Sequence, residues 1–85
     1  MDVIIVTVTD ERSLICQDLE VPADLEASKL KEDIIKTLEG WRPEYTADFY
    51  QTRIRCGRTG KYLKDDETLN QAGVCNGDYL ILCRA

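Results

Sequence analysis

The residue types that could carry chemistry in this chain are four cysteines, a cluster of basic side chains and a run of three acids, and histidine is absent. Nucleophilic catalysis needs an activated Ser, Thr or Cys beside a general base, which is most often a histidine. The two serines, Ser13 and Ser28, fall in a predicted turn and on a predicted helix. A domain of 85 residues also leaves little room for a deep pocket beside its core. The sequence therefore predicts a protein that is not an enzyme.

The cysteines carry no metal-binding signature. They are Cys16, Cys56, Cys75 and Cys83. They include no Cys-x-x-Cys pair and no spacing typical of zinc sites. Since no signal peptide precedes them, we interpret them as reduced structural thiols, while a disulfide, metal or redox role stays open. The acids at residues 65–67 lack the ligand spacing of a calcium-binding loop, so we expect neither a metal nor a cofactor.

A segment from Gly57 to Lys61 superficially resembles a phosphate-binding loop. Such a loop needs a glycine five positions before its second glycine, a Ser or Thr after its lysine, and a helix behind it. Here Arg55 and Tyr62 occupy those two positions, and a strand is predicted to follow. We interpret the segment as a hairpin turn.

Charge is distributed unevenly along the chain. Eleven basic and sixteen acidic side chains give a net charge of −5, which disfavours non-specific nucleic-acid binding. Five of the bases cluster in one short stretch: Arg53, Arg55, Arg58, Lys61 and Lys64. Contact of this stretch with RNA or an acidic membrane surface is an alternative function, although no aromatic run interleaves the bases for stacking.

Length and hydropathy predict a single domain over residues 1–85. Hydrophobic residues make up 44% of the chain, which is typical of a folded domain rather than of a disordered chain. The longest apolar run, residues 3–6, is far shorter than the roughly 20 residues of a membrane span, so no membrane insertion is expected. Without a recognisable signal peptide, the expected location is the cytoplasm.

Hydrophobic periodicity predicts the elements that position these residues. A run of β-branched residues indicates a strand at residues 3–9, and alternation with a period of two indicates strands at residues 14–21 and 49–56. Further strands are predicted at residues 61–63 and 79–83. Residues 41–48 are predicted to form a loop, and residues 69–72 are predicted to form one helical turn.

Between the second and third strands, the apolar residues recur every three to four positions, which indicates one amphipathic helix over residues 24–39. Asp24 is expected to cap its N-terminus, and Gly40 is expected to close its last turn in the left-handed conformation. A single apolar stripe needs one sheet to cover it. The order ββαββ, short helix, β therefore predicts an α+β, β-grasp fold with one helix on a mixed sheet.

Several segments of the chain resemble ubiquitin-like sequences, among them residues 63–69 and 74–82. The closer resemblance is to the YukD-like (EsaB-type) ubiquitin-like proteins of bacterial type VII secretion. It is carried by residues 18–23 and by the pattern L-x-x-x-G-V-x-N-G-D-x-L, which runs from Leu69 to Leu80. The resemblance implies a non-catalytic, cytoplasmic accessory or regulatory component that binds a protein partner, such as the membrane-embedded secretion machinery.

The resemblance also implies where a partner would bind, because ubiquitin is gripped on an aliphatic patch on the open side of its sheet. By alternation, that side here carries Val3, Ile5, Arg53, Arg55, Tyr79, Ile81 and Cys83. We predict an arginine-rich partner-binding surface centred on Arg53 and Arg55, since arginine and tyrosine are common in interface hot spots. In the alternative interpretation, Arg53 and Arg55 are ordinary solvated charges whose aliphatic stems shield Val3 and Ile5.

Two other functions stay open at this level. The chain could be a ubiquitin-like structural subunit of a multicomponent enzyme complex, as in some monooxygenases. It could also be a processed modifier. Ubiquitin-like modifiers end in a flexible tail with two glycines, whereas this sequence ends in Cys83-Arg84-Ala85, so covalent conjugation is not expected.

Overall fold

One helix lies across one face of a four-stranded sheet in the computed structural model, which describes residues 2–12, 15–41 and 51–84. The elements are β1 (Val3–Asp10), β2 (Cys16–Pro22), α1 (Ala27–Trp41), β3 (Thr52–Cys56) and β4 (Tyr79–Arg84). Leu14, Phe49 and Tyr50, which were predicted to begin strands, lie outside the described residues, as does most of the predicted loop over residues 41–48.

The strands are ordered β2-β1-β4-β3. β1 pairs antiparallel with β2 and parallel with β4, and β3 pairs antiparallel with β4. The parallel pair at the centre makes the sheet mixed, as predicted. It also brings the beginning and the end of the described chain together, so that Val8 lies beside Leu80.

The core forms between α1 and one face of this sheet. Alternation along each strand turns every second side chain toward the helix, and the residues that are less than 2% exposed are Leu30, Ile34, Leu69, Leu80, Val6, Val8 and Cys56. Leu30 and Ile34 come from the predicted helical stripe, and the strand residues lie on the side of the sheet opposite the predicted partner-binding surface. All four cysteines are free, and Cys56 and Cys83 are buried.

The ends of α1 differ from the expectation. The helix begins at Ala27, and the carbonyl oxygen of Glu26 accepts its first backbone bonds, so Asp24 lies outside it. The N–H groups of Ala27 and Ser28 donate to the backbone carbonyl oxygens of Glu67 (2.9 Å) and Asp65 (3.1 Å). A distant loop therefore satisfies the first turn that a side-chain cap was expected to satisfy.

At the other end, Gly40 does not close α1 in the left-handed conformation. It lies within the helix, which continues to Trp41, a residue predicted to start the loop. The described part of α1 is neither long enough nor apolar enough to cross a membrane.

The two short elements predicted in the C-terminal half form neither a regular strand nor a regular helix. The strand at residues 61–63 is one isolated bridge between Tyr62 and Arg55, held by bonds from Leu63 N to Ile54 O at 2.8 Å and from Cys56 N to Lys61 O at 2.9 Å. The helical turn at residues 69–72 is a series of turns, with bonds from Ala72 N to Thr68 O, from Gly73 N to Asn70 O and from Val74 N to Leu69 O. Neither segment is long enough to form a regular strand or helix.

The pattern from Leu69 to Leu80 is explained by the turn that it builds. Gly73 and Gly77 have φ values of 78° and 89°, a region in which a Cβ atom is strained. The side-chain oxygen of Asn76 accepts the N–H of Ile5 at 2.8 Å, and Gly77 N donates to Ile5 O at 2.7 Å. The turn is thereby fastened to β1 just before β4 begins.

Replacing Gly77 by Ala is expected to lower the free energy of unfolding by about 1–2 kcal/mol, because alanine must adopt the left-handed conformation there. Gly40→Ala is the matched control. Its Cβ would meet no atom within 4 Å, and alanine favours the helix, so stability is expected to stay equal or rise slightly. Urea titrations of both variants check this, and equal midpoints would contradict it.

Candidate functional site

The face of the sheet opposite α1 is built from alternate residues of all four strands, and we call it the open face. Its residues are Cys16, Asp18 and Glu20 from β2; Val3, Ile5, Thr7 and Thr9 from β1; Tyr79, Ile81 and Cys83 from β4; and Arg53 and Arg55 from β3. The structure therefore places all six residues predicted for partner binding on one face.

The strand order separates these residues into distinct regions. Arg55 pairs with Ile81 and Arg53 pairs with Cys83, so both arginines lie on β3, the strand at one end of the sheet order. The prediction that arginines form the centre of the face is wrong. The centre is made by β1 and β4, because strand order, which alternation does not report, puts β4 between β3 and β1.

An apolar stripe crosses the open face obliquely and consists of Val3, Ile5, Tyr79 and Ile81. Val3 is 49% exposed, Ile5 48% and Tyr79 59%, while Ile81 is half-buried. Since β4 pairs with β1 only from Thr7 onward, Val3 and Ile5 lie beyond the start of β4. The arginine stems on β3 therefore do not shield them, which contradicts the alternative interpretation of a covered pair.

Arg53 is held in place by an aromatic ring that sequence analysis did not include in the site. The guanidinium carbon of Arg53 lies 3.9 Å from the ring centroid of Tyr62, a cation–π contact. Tyr62 is 42% exposed and is bridged to Arg55. Alternation within the short segment 61–63 could have revealed it, because Leu63 packs against the core and its neighbour must then face the other way.

The two arginines of the open face have no acidic partner within the described part of the chain. Arg55 is half-buried and makes no ion pair or side-chain hydrogen bond there, and Arg53 makes only its contact with Tyr62. We call these two residues the basic edge. Guanidinium groups without an acceptor of their own are available to bind an anionic group.

The opposite side of the open face carries carboxylates, which we call the acidic edge: Asp18 and Glu20 on β2. Asp18 accepts a hydrogen bond from the hydroxyl of Thr7 at 2.7 Å, and both residues are exposed. Alternation placed them together on one side of their strand, but it gave no reason to connect them with the arginines three strands away.

Cys83 occupies the open face by register but contributes almost no surface, since it is 4% exposed. Its thiol donates to the carbonyl oxygen of Ile81 at 3.6 Å. The prediction that Cys83 forms part of the exposed surface is therefore wrong.

The buried carboxylate of Asp78, the residue before Tyr79, anchors the turn that leads into β4. Arg58 Nε lies 2.9 Å from Asp78 Oδ1, and Arg58 Nη2 lies 3.1 Å from Asp78 Oδ2. Asp78 Oδ2 also accepts the N–H of Cys75 at 2.8 Å and the thiol of Cys56 at 3.7 Å. We call this arrangement the Asp78 clamp. It joins the hairpin turn at Arg58 to the segment that leads into β4.

The electrostatics of the Asp78 clamp are those of a fixed ion pair. The hydrogen bond from Arg58 holds the pKa of Asp78 below its usual range, although burial of the carboxylate opposes this. The same bond raises the pKa of Arg58. Asp78 is therefore charged at neutral pH, and the clamp has a structural rather than a catalytic geometry.

Among residues 2–12, 15–41 and 51–84, no group of His, Cys, Asp and Glu side chains is arranged to hold a metal ion. The segment from Gly57 to Lys61 is a turn in which Gly60 N donates to Cys56 O at 2.8 Å. A cleft of about 420 Å³ lies beside β3, and Lys31 lines it. The Lys31 amine donates to Thr52 O at 3.1 Å and lies 3.4 Å from Asp65 Oδ1, so it is engaged within the fold.

The family profile described as "WXG100 protein secretion system (Wss), protein YukD" matches residues 3–82. Among curated proteins, none matches the chain as a relative.

Comparison with solved structures shows the fold. Ubiquitin of Caldiarchaeum subterraneum is 20% identical, with a TM-score of 0.79 over 99% of this chain and 95% of its own. The ubiquitin-like domain of Plasmodium falciparum Dsk2 is 24% identical, with a TM-score of 0.78 over 99% of this chain and all of its own. A chain of the toluene 4-monooxygenase HD complex is 14% identical, with a TM-score of 0.77 over 99% of this chain and all of its own. The predicted ubiquitin-like, α+β fold is thus confirmed.

Proposed function

This chain belongs to the YukD family of WXG100 secretion system proteins, and from that premise we propose that it works as a non-catalytic, cytoplasmic interaction module of the secretion system. In this role it binds a protein component of the secretion machinery without forming a covalent bond. The sequence contains no histidine to act as a general base. The family and the fold support an accessory or regulatory part in secretion.

The observation that carries this proposal is the composition of the open face. Three large apolar side chains, those of Val3, Ile5 and Tyr79, are about half-exposed there. Exposed apolar side chains grouped on one face and flanked by charges are typical of protein-binding surfaces. The basic edge adds two arginines without acidic partners in the described chain, and arginine is enriched in interface hot spots.

A second candidate function is that of a ubiquitin-like subunit in a multicomponent enzyme complex. It is favoured by the likeness to a chain of the toluene 4-monooxygenase HD complex. Genomic neighbours discriminate the two: genes for small secreted helical-hairpin proteins and an FtsK-like ATPase support secretion, while genes for di-iron hydroxylase subunits support the complex.

The double variant Arg53→Glu, Arg55→Glu is expected to lose partner binding. Reversing both charges replaces attraction by repulsion at the basic edge, and we expect capture to fall by at least about tenfold. The measurement is a pull-down with purified cytosolic domains of secretion-system membrane proteins from the same organism. Circular dichroism and thermal unfolding verify in parallel that the variant is folded.

Lys61→Glu with Lys64→Glu provides a matched control, because it changes the net charge by the same amount at exposed positions off the open face. Capture by this control is expected to match the wild type. Equal capture by the Arg53, Arg55 variant would contradict the proposed surface. Equal loss in both variants would instead indicate bulk attraction by the whole basic stretch, and such binding would weaken steeply with salt.

A further inference from the structure

We propose that the open face binds the open face of a second copy of this chain, forming a two-fold symmetric dimer. This inference rests on the proposed function, because both assign a binding partner to the open face. A secretion partner that binds this face would then displace the second copy.

The charge pattern of the open face is the first support. Its charged residues are Asp18 and Glu20 on one side and Arg53 and Arg55 on the other, so their charges cancel. The chain as a whole carries −5, and two copies that approach through most other surfaces repel each other. Through the open face, they meet without net repulsion.

Strand order gives the geometry of the pairing. The acidic edge lies on β2 and the basic edge on β3, with β1 and β4 between them. With about 4.8 Å between strands and about 3.4 Å per residue, the two edges lie roughly 20 Å apart on an oblique line across the face. A two-fold axis in the plane of the interface, perpendicular to that line and close to Tyr79, sets the acidic edge of each copy against the basic edge of the other.

Two-fold symmetry makes this arrangement self-complementary, because every contact occurs twice. Within the described residues, none of the four charged side chains of the open face forms an ion pair inside its own chain. The second copy supplies the missing counter-charges on both sides. Tyr79 lies near the axis and packs against its symmetry mate, which removes its exposed surface from water.

The size of the face predicts a weak, reversible dimer. A patch of roughly 20 by 25 Å buries about 500 Å² per copy, below the roughly 800 Å² per partner of a standard stable interface. Dissociation is therefore expected on dilution, and added salt is expected to favour the monomer because the paired charges are at the rim.

A charge-swap experiment tests the proposal. Sedimentation equilibrium on the full chain is expected to show a monomer–dimer equilibrium that reaches mostly dimer at high protein concentration. Arg53→Glu with Arg55→Glu is expected to be monomeric at the same concentrations, and so is Asp18→Lys with Glu20→Lys. Mixing the two variants is expected to restore a dimer, because each then supplies the charge that the other lacks.

The control variant Lys61→Glu, Lys64→Glu is expected to dimerise like the wild type. A wild type that stays monomeric at the highest soluble concentration overturns the proposal, as does a pair of variants whose mixture remains monomeric. Pull-down results separate this proposal from the proposed function. Arginine-dependent capture by a secretion component with a monomeric wild type overturns the dimer alone, whereas a charge-swapped dimer without any capture supports the dimer and contradicts the secretion role.

Discussion

Leu80→Asp is expected to abolish cooperative unfolding of this protein. Leu80 is fully buried, and it lies beside Val8 on β1 and Cys56 on β3 at the centre of the core. A carboxylate there loses its hydration without a compensating cation, which costs several kcal/mol, and the lost leucine packing adds about 2–5 kcal/mol. The sum is comparable to the roughly 5–15 kcal/mol that stabilises a small domain.

The neighbouring variant Tyr79→Asp is the matched control. Tyr79 precedes Leu80 in the same strand but points to the open face and is 59% exposed. The new carboxylate stays hydrated there, so we expect a folded protein with a cooperative urea transition. Near-ultraviolet circular dichroism and urea titration compare the two variants. A Leu80→Asp protein that unfolds at the wild-type midpoint would contradict the placement of the core.

The fold was predictable because the residue types along the strands and the hydrophobic periodicity of the helix are regular. The β-branched run in β1 and the three-to-four spacing through Leu30 and Ile34 predict the element types, and the alternation of side chains along each strand predicts which of them share a face. The helix start was not predictable from local rules. Its first N–H groups bond to the backbone of residues 65–67, about forty positions away, and no local side chain reports such a contact.

The residues of the candidate site were predictable, but their arrangement was not. Alternation assigns Arg53, Arg55 and Tyr79 to one side of their strands. It does not report which strands are neighbours, and the placement of β4 between β1 and β3 moves the arginines from the centre of the face to its edge. The contact of Arg53 with Tyr62 likewise depends on an isolated bridge rather than on a regular strand.

Asp78 was visible in the sequence only as part of a family-like pattern, and its partner Arg58 only as part of a basic cluster. The structure shows that this arginine is used inside the fold, whereas Arg53 and Arg55 are not. A count of basic residues therefore overstates the charge available for binding. In the Asp78 clamp, Arg58 pairs with a buried carboxylate, so it is not available to bind a partner.

Asp78→Ala is expected to lower the free energy of unfolding by about 2–3 kcal/mol at neutral pH. The substitution leaves the guanidinium of Arg58 and the N–H of Cys75 without their carboxylate acceptor. We place the loss below that of a fully buried ion pair, because Arg58 is about half-exposed and water can hydrate it. Asp66→Ala, at an exposed position in a turn, is expected to change stability by less than about 0.5 kcal/mol.

The contribution of Asp78 is also expected to depend on pH, in a direction that its lowered pKa determines. Because the pKa is lower in the folded state, the stabilisation is complete above the unfolded value of about 4 and is lost as the pH falls through the folded value. Urea titrations of the wild type and Asp78→Asn are therefore expected to differ at neutral pH and to converge at acidic pH. Asparagine has nearly the same volume but no charge, so a difference that persists unchanged in acid would assign the effect to packing and contradict the ion pair.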